Sequence, residues 1–450
     1  MSVPEKIITI IWNALLQHRR SEGLKLGNLV KDGLVSRHKV SIPHFKRPEH
    51  IAVIGKTGTG KSSLLRFMMS QDIRARRGFA CIDLHGDLIP FVLAELAAVE
   101  HATGRDLSHR LLLIDPADPL YAVGLNLIEC DSDRSRPVQI SEMVSLLRKR
   151  WSLDHFGART EELLRNTFWT LSENGLTLLE VAPLLTNSGY RASLVARVRN
   201  PEIRRYFEER YDAASSAMQA VMREAVLNKI GAFTVDPAIR HIVGQKKSSI
   251  PLVSAIDSSM FACISLQKGN LGENALTFAS LILAKFKAAI FTRQKRSLFT
   301  LYADELPNLA ALNDTFEVLL SEARKLAISV VSANQFLGQL SPQMKAALLS
   351  VGTLLSFEPS SEDALTIARA LGGDRSLARN LVSLPHRHLI ARFGERVYEA
   401  AVPNVKKHAI SAVSLTSRSN ARWASRRNQI EEQINARIPK PSTTELEGWD

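Results

Sequence analysis

With 450 residues, 45% hydrophobic and 6% aromatic, the chain can bury one elaborated core or several domains, which excludes a wholly disordered protein. Its 58 Lys and Arg against 45 Asp and Glu leave a net charge of +13, the sign expected for a polyanionic partner such as nucleic acid; a generally basic soluble protein is the plainer alternative. Cys81, Cys130 and Cys263 each sit in an apolar stretch without C-x-x-C spacing, so they read as small buried residues in a reducing compartment, not as disulfides or metal ligands.

Residues 1–48 read as a basic, weakly patterned leader. Its apolar run from Ile7 to Leu16 is far short of the ~20 residues a membrane-spanning helix needs, and it lacks the lead-in and cleavage site of a signal peptide. An amphipathic helix lying against the core is expected there, and no transmembrane anchor is expected in the chain.

From residue 49 the pattern changes. The apolar strand Ile51-Ala52-Val53-Ile54 runs directly into Gly55-Lys56-Thr57-Gly58-Thr59-Gly60-Lys61-Ser62, which is G-x-x-x-x-G-K-[ST], the phosphate-binding loop, in the strand-then-loop setting a true one requires. Its glycines let successive N–H groups and a helix N-terminus point at an anion. Lys61 then reaches the β- and γ-phosphates, Ser62 is set to ligate Mg²⁺, and Ser63 follows in the same turn. ATP with Mg²⁺ is the expected ligand; an accidental glycine-rich turn is the alternative, and the preceding strand counts against it.

A helix over Ser62–Met69 and a buried strand Phe79-Ala80-Cys81-Ile82 follow, the strand ending in Asp83-Leu84-His85-Gly86-Asp87. A third strand, Leu111 to Ile114, ends in Asp115-Pro116. Apolar runs alternating with helical stretches predict βαβ units and a mainly parallel sheet with ligands at the strands' C-terminal ends. Residues 49–137 are therefore expected to be the first half of a P-loop ATPase domain of the α/β class. Residues 138–244 read as an all-α insertion domain, with a capping box at Thr177–Glu180 and an Asn200-Pro201 helix start. Residues 245–402 form the second half, with strands at Met260–Leu266, Leu298–Ala303, Leu326–Ala333 and Thr353–Phe357 and a hairpin over His388–Val402 turning at Gly394. Residues 403–450 read as a polar tail, basic and then acidic.

Leu298–Ala303 leads straight into Asp304-Glu305. An acid at the end of a buried strand can hold a water of the Mg²⁺ shell, and the glutamate beside it can activate the attacking water. Gln335 arrives after Asn334 at the same sheet edge, where an amide can sense the γ-phosphate or merely cap the strand. Arg324 closes the preceding helix and is either a partner of the helix dipole or an arginine finger for a neighbouring subunit; the residues alone leave both open. His85 and Asp87 have no defensible role beyond shaping a loop.

The phosphate loop, Asp83–Leu88, Leu266-Gln267-Lys268-Gly269, Asp304–Leu309, and Ser321–Lys325 leading to Gln335 together resemble the HerA–FtsK superfamily over about residues 49 to 400. The closest likeness is to TraG/TraD-like type IV secretion coupling proteins. The resemblance implies a RecA-like P-loop NTPase fold and a homo-hexameric ring ATPase that moves DNA, single- or double-stranded. It assigns phosphate and Mg²⁺ binding to Lys61 and Ser62, hydrolysis to Asp304 and Glu305, γ-phosphate sensing to Gln335 and a trans finger to Arg324. Membrane-anchored coupling proteins carry transmembrane helices ahead of the motor and this chain shows none, so a cytoplasmic location is expected, with recruitment to the inner membrane by a partner. Candidate protein partners are a relaxase, a nuclease or a secretion-channel protein. The alternatives are a soluble HerA-like DNA-processing or defence ATPase, and a nucleotide-switched DNA-binding module without sustained translocation. Between Lys406 and Arg427 the tail carries six Lys or Arg, no acid, and Trp423; it is either a solvated tail or a grip on DNA phosphates. On the second reading, truncation after Pro403 weakens DNA binding and spares basal hydrolysis.

Overall fold

The structure is a computed structural model that describes residues 23–130, 132–150, 158–266, 272, 274–305 and 315–439. The expected amphipathic helix at 7–16, the Gln267–Gly269 motif, Leu306–Leu309 and the acidic terminus lie outside these residues. Along the chain the strands are β1 (Leu24–Lys31), β2 (Leu34–Ile42), β3 (Ile51–Ile54), β4 (Phe79–Asp83), β5 (Leu111–Ile114), β6 (Tyr121–Val123), β7 (Phe261–Ser265), β8 (Phe299–Asp304), β9 (Ile328–Asn334), β10 (Thr353–Ser356), β11 (His388–Phe393), β12 (Arg396–Ala401) and β13 (Ala424–Arg426). The chain divides into two compact units.

The first unit, Met1–Leu113 with Val253–Gln267 and Ala289–Ser419, carries an eleven-stranded sheet in the order β2-β1-β12-β11-β10-β3-β9-β8-β4-β7-β5. From β10 through β3, β9, β8 and β4 to β7 every pairing is parallel. These strands are buried almost throughout, because helices cover both faces of a parallel sheet, and this is why they read as unbroken apolar runs. Their C-terminal ends share one edge: Ile54 registers with Asn334, Asp304 with Ala333, and Asp83 with Ser265.

Beyond β10 the sheet turns antiparallel through β11, β12, β1 and β2. The hairpin β11–β12 turns through Gly394, at φ +62°, as expected. The hairpin β1–β2 corrects the expectation of a basic, weakly patterned leader over residues 1–48. Asp32 and Gly33 (φ +52° and +76°) make the two-residue turn that asks for positive φ at both positions, and Leu24, Leu26, Val40 and Ile42 face the core.

Helix Lys61–Arg74 lies on one face of this sheet, burying Leu64, Leu65, Met68, Met69 and Ile73 at helical spacing against Val53, Cys81, Val331 and Leu355. Emptying any one of these sites costs about 2–5 kcal/mol. The same helix carries a wholly buried polar cluster. Asp72 takes two hydrogen bonds from Arg47, each 2.7 Å, and one from the Tyr302 hydroxyl at 2.7 Å; Arg47 also donates to Thr300 Oγ1 at 2.8 Å. Burial disfavours the Arg47 charge, but the Asp72 carboxylate more than offsets that and holds the guanidinium charged. This cluster ties the turn His44–Glu49, the helix after the phosphate loop and β8 into one rigid piece.

The second unit comprises Ile114–Leu252, Lys268–Ala288 and Asn420–Asp450. Between Arg136 and Val243 its described elements are all helical. The capping box at Thr177 and Glu180 is present and opens a short turn ahead of helix Val181–Thr186. Asn200 caps helix Pro201–Arg205, which continues as a wider turn over Tyr206–Tyr211. The strands β6 and β13 pair as a small ribbon, antiparallel and separate from the large sheet. Among the described residues no helix is long and apolar enough to cross a membrane. Among the described residues the cysteines form no disulfide; Cys81 and Cys263 are buried register partners, while Cys130 is only half-buried.

Residues after Pro403, expected to lose all pattern, instead form helices Val413–Trp423 and Arg427–Arg437. In the first unit Leu415 joins the core and the Ser419 hydroxyl donates to the Leu111 carbonyl at 2.7 Å. In the second, Ile430 and Ile434 are buried, and Glu431 lies 3.0 Å from His241 Nε2.

Candidate functional site

The loop between β3 and helix Lys61–Arg74 is shaped by its glycines. Gly58 and Gly60 stand at φ +81° and +122°, and a Cβ on Gly55 would meet Phe357 Cβ at 2.7 Å, so larger residues do not fit this path. The Thr59 hydroxyl closes the loop on the Lys56 carbonyl at 2.8 Å. Lys61 is 9% exposed; its ammonium donates to the Gly55 and Lys56 carbonyls at 2.6 and 2.8 Å. Ser62 and Ser63 are half-buried in the first turn of the helix.

Two strands over, Asp304 ends β8. Burial, then the neighbouring Glu305 charge, pushes its carboxyl pKa up, while Lys61 pulls it back down. Burial likewise lowers the Lys61 pKa, against the raising pull of Asp304 and Glu305. A cation and two carboxylates thus share one poorly solvated edge, where each charge acts strongly on the next.

Glu305 follows in the left-handed region at φ +57°, a conformation uncommon for a side-chain-bearing residue and concentrated at functional sites. Its carboxylate is held on both oxygens. Gln335 Nε2 donates to Oε1 at 2.8 Å, and His85 Nε2 lies 2.8 Å from Oε2. The Gln335 carbonyl in turn accepts the Thr57 hydroxyl at 3.1 Å, so an unbroken chain runs from the loop tip through the amide and the glutamate to the histidine. A carboxylate held in this way can orient and polarise a water molecule.

His85 is the residue that the sequence left without a role. Asp83 brings it in: one carboxylate oxygen accepts the His85 and Gly86 N–H groups at 3.1 and 2.8 Å, the other those of Leu88 and Ile89 at 2.8 and 2.9 Å. The loop-shaping function therefore belongs to buried Asp83, and it swings His85 towards β8. Asp87 is exposed and its carbonyl accepts from Arg66 at 3.1 Å. The signal in the sequence was an Asp-x-His turn at a ligand-facing strand end.

Arg324 does not join this group. It lies in the short turn Ala323–Leu326 ahead of β9, two-thirds exposed, 3.1 Å from Glu49. The seven residues of β9, spanning roughly 20 Å, separate it from Gln335 at the strand's other end. Its own phosphate loop is out of its reach.

Residues 35–384 match the family described as the type IV secretion-system coupling protein DNA-binding domain. No curated protein is significantly similar to the chain in sequence. Among solved structures, the plasmid coupling protein TrwB in complex with ADP and Mg²⁺ is similar at TM-score 0.62 and 17% identity, over 89% of this chain and 94% of that one. The unbound bacterial conjugative coupling protein TrwBdeltaN70 gives 0.60 and 16%, over 89% and 93%. VirB4 of Thermoanaerobacter pseudethanolicus gives 0.55 and 12%, over 85% and 96%. At these identities the likeness is one of fold, and it bears out the expected α/β, RecA-type NTPase architecture with its mainly parallel sheet.

Proposed function

Since the chain belongs to the family of type IV secretion-system coupling-protein DNA-binding domains, the TraG/TraD-like branch of the HerA–FtsK superfamily, we propose that it is an ATPase motor that translocates DNA as a homo-hexameric ring. The observation that carries the proposal is the hydrogen-bonded chain Thr57–Gln335–Glu305–His85, which couples the tip of a phosphate loop to a carboxylate suited to activate water. A module that only binds nucleotide has no need of such a carboxylate.

On this reading the loop from Gly55 to Ser63 binds ATP, Lys61 neutralises the β- and γ-phosphates, Glu305 orients the attacking water, and Gln335 reports the γ-phosphate to the loop. The hard oxygens of Ser62 and Asp304 suit Mg²⁺, which keeps most of its waters and takes few protein ligands, and the raised Asp304 pKa fits a carboxylate that gains from a nearby cation. When bound, Mg²⁺ supplies charge neutralisation on the phosphates. Arg324, out of reach of its own loop, acts across a subunit boundary. The division into an ATPase domain of residues 49–137 and 245–402, with 138–244 as an insertion, belongs to the same proposal. So does work on the cytoplasmic side with recruitment to the inner membrane by a relaxase, nuclease or channel protein.

The test is ATP turnover by the purified chain with and without DNA, alongside its native mass. DNA-stimulated turnover by a hexamer is expected. Nucleotide binding with no turnover under either condition overturns the motor in favour of a nucleotide-switched DNA-binding module.

A further inference from the structure

One cation beside the phosphate loop has no part in the scheme above. Arg387 precedes β11 at the loop's edge of the sheet, and its φ of +62° puts a side-chain-bearing residue in the left-handed region. Two contacts hold it there: its N–H donates to the Thr59 carbonyl at 2.9 Å, and its own carbonyl accepts the Val402 N–H at 2.9 Å. A Cβ on Gly60 would lie 3.0 Å from Arg387 Cγ and 3.1 Å from its Cα, so the loop and this residue are in van der Waals register. Nearby Lys56 is already neutralised, its ammonium 2.7 Å from Glu358. The guanidinium of Arg387, a half-buried residue, by contrast has neither ion pair nor hydrogen bond among the described residues. Its backbone is anchored to the loop and its five donors are uncommitted.

Sheet order says which part of a ligand it meets. From β3, Gln335 and Glu305 lie to one side, at the ends of β9 and β8; Arg387 lies to the other, past β10 at the start of β11. A nucleoside triphosphate with its γ-phosphate at Glu305 runs its nucleoside towards β10 and β11. We infer that Arg387 binds the nucleoside half of the nucleotide in cis, its planar guanidinium stacking on the base and donating to ribose oxygens. The inference rests on the reading of residues 55–63 as a nucleotide site.

Calorimetric titration of the full chain with MgADP and, separately, with inorganic tripolyphosphate tests it. Arg387→Ala is expected to weaken MgADP binding about tenfold or more while leaving tripolyphosphate affinity unchanged, with Arg387→Lys in between. Lys61→Ala loses both ligands. Equal losses for both ligands in Arg387→Ala would make the residue a brace of the loop, and no loss would put it outside the site; either result overturns the inference. A parent chain that binds neither ligand overturns the phosphate-loop reading itself. If Arg387→Ala fails to fold, Arg387→Gln answers the same question.

Discussion

His85 Nε2 lies 2.8 Å from Glu305 Oε2, joining a loop after β4 to the residue that follows β8. Because Asp83 fixes that loop through four main-chain N–H groups, the histidine arrives in a set orientation. With Gln335 on the other oxygen, the Glu305 carboxylate has little freedom to rotate.

That arrangement predicts a graded series. Lys61→Ala should lose nucleotide binding or turnover. Glu305→Gln should bind ATP yet hydrolyse it about 10²–10⁴-fold more slowly. His85→Ala should lower kcat about tenfold with little change in KM, and His85→Gln, which keeps a donor, should recover part of it. Steady-state ATPase assays check all four; a Glu305→Gln protein turning over at the parent rate removes that residue from the chemistry.

Arg324 makes the assembly prediction. An arginine finger contributes about 10³–10⁵ in rate, so Arg324→Ala should bind ATP normally and hydrolyse it poorly. Mixing it with Lys61→Ala subunits should restore some activity, since each supplies what the other lacks. Confirmed mixed rings with no recovery, or an active monomer, would sink the trans role.

His50 makes stability pH-dependent. It is 2% exposed, its Nδ1 accepts the Val330 N–H at 3.1 Å, and burial, followed by the Arg324 charge, lowers its pKa from 6.5 to about 4. The unfolded chain therefore binds the proton first as pH falls. Stability present above pH 6.5 is lost on the way down to about pH 4, by up to about 3 kcal/mol from this group. Half-buried His44, lowered to about 4 chiefly by burial, adds in the same direction. Urea midpoints between pH 4.5 and 7.5 should fall with acidity, and less steeply in His50→Gln; parallel slopes would count against the assignment.

The residues after Pro403 call for a different test from the one their composition suggests. Leu415 and Ser419 belong to the first unit's interior, so truncation there should destabilise that unit and depress ATP hydrolysis. Of the six basic residues, Arg418 pairs with Glu100 and Arg427 donates to the Pro116 and Asp118 carbonyls, whereas Lys406, Lys407, Arg422 and Arg426 are exposed. Replacing those four with Ala should keep basal ATPase and weaken DNA binding. Each lost phosphate contact should flatten the slope of log affinity against log salt by roughly 0.7–0.9. An unchanged slope would leave these four residues without a DNA role.

The phosphate loop, the buried parallel strands and Asp304-Glu305 were legible in the residues because each depends on local rules. Glycine at positive φ, an unbroken apolar run between two helical layers, and a polar residue where a strand leaves the core all write themselves into adjacent positions. The hairpin β1–β2 was not legible beyond its turn signal, Asp32-Gly33, because the charged residues around it mask the alternation. Nor was helix Val413–Trp423, since its buried face offers little more than Leu415 and Ser419, too sparse to register as a period. Tertiary structure alone decided that His85 meets Glu305, that Gln335 bridges Glu305 and Thr57, that Arg387 rests on Thr59, and that Arg324 stands at the wrong end of β9 for its own loop. Each depends on the order in which strands pair, and strand order is set by the packing of the whole sheet, which no local stretch of sequence contains.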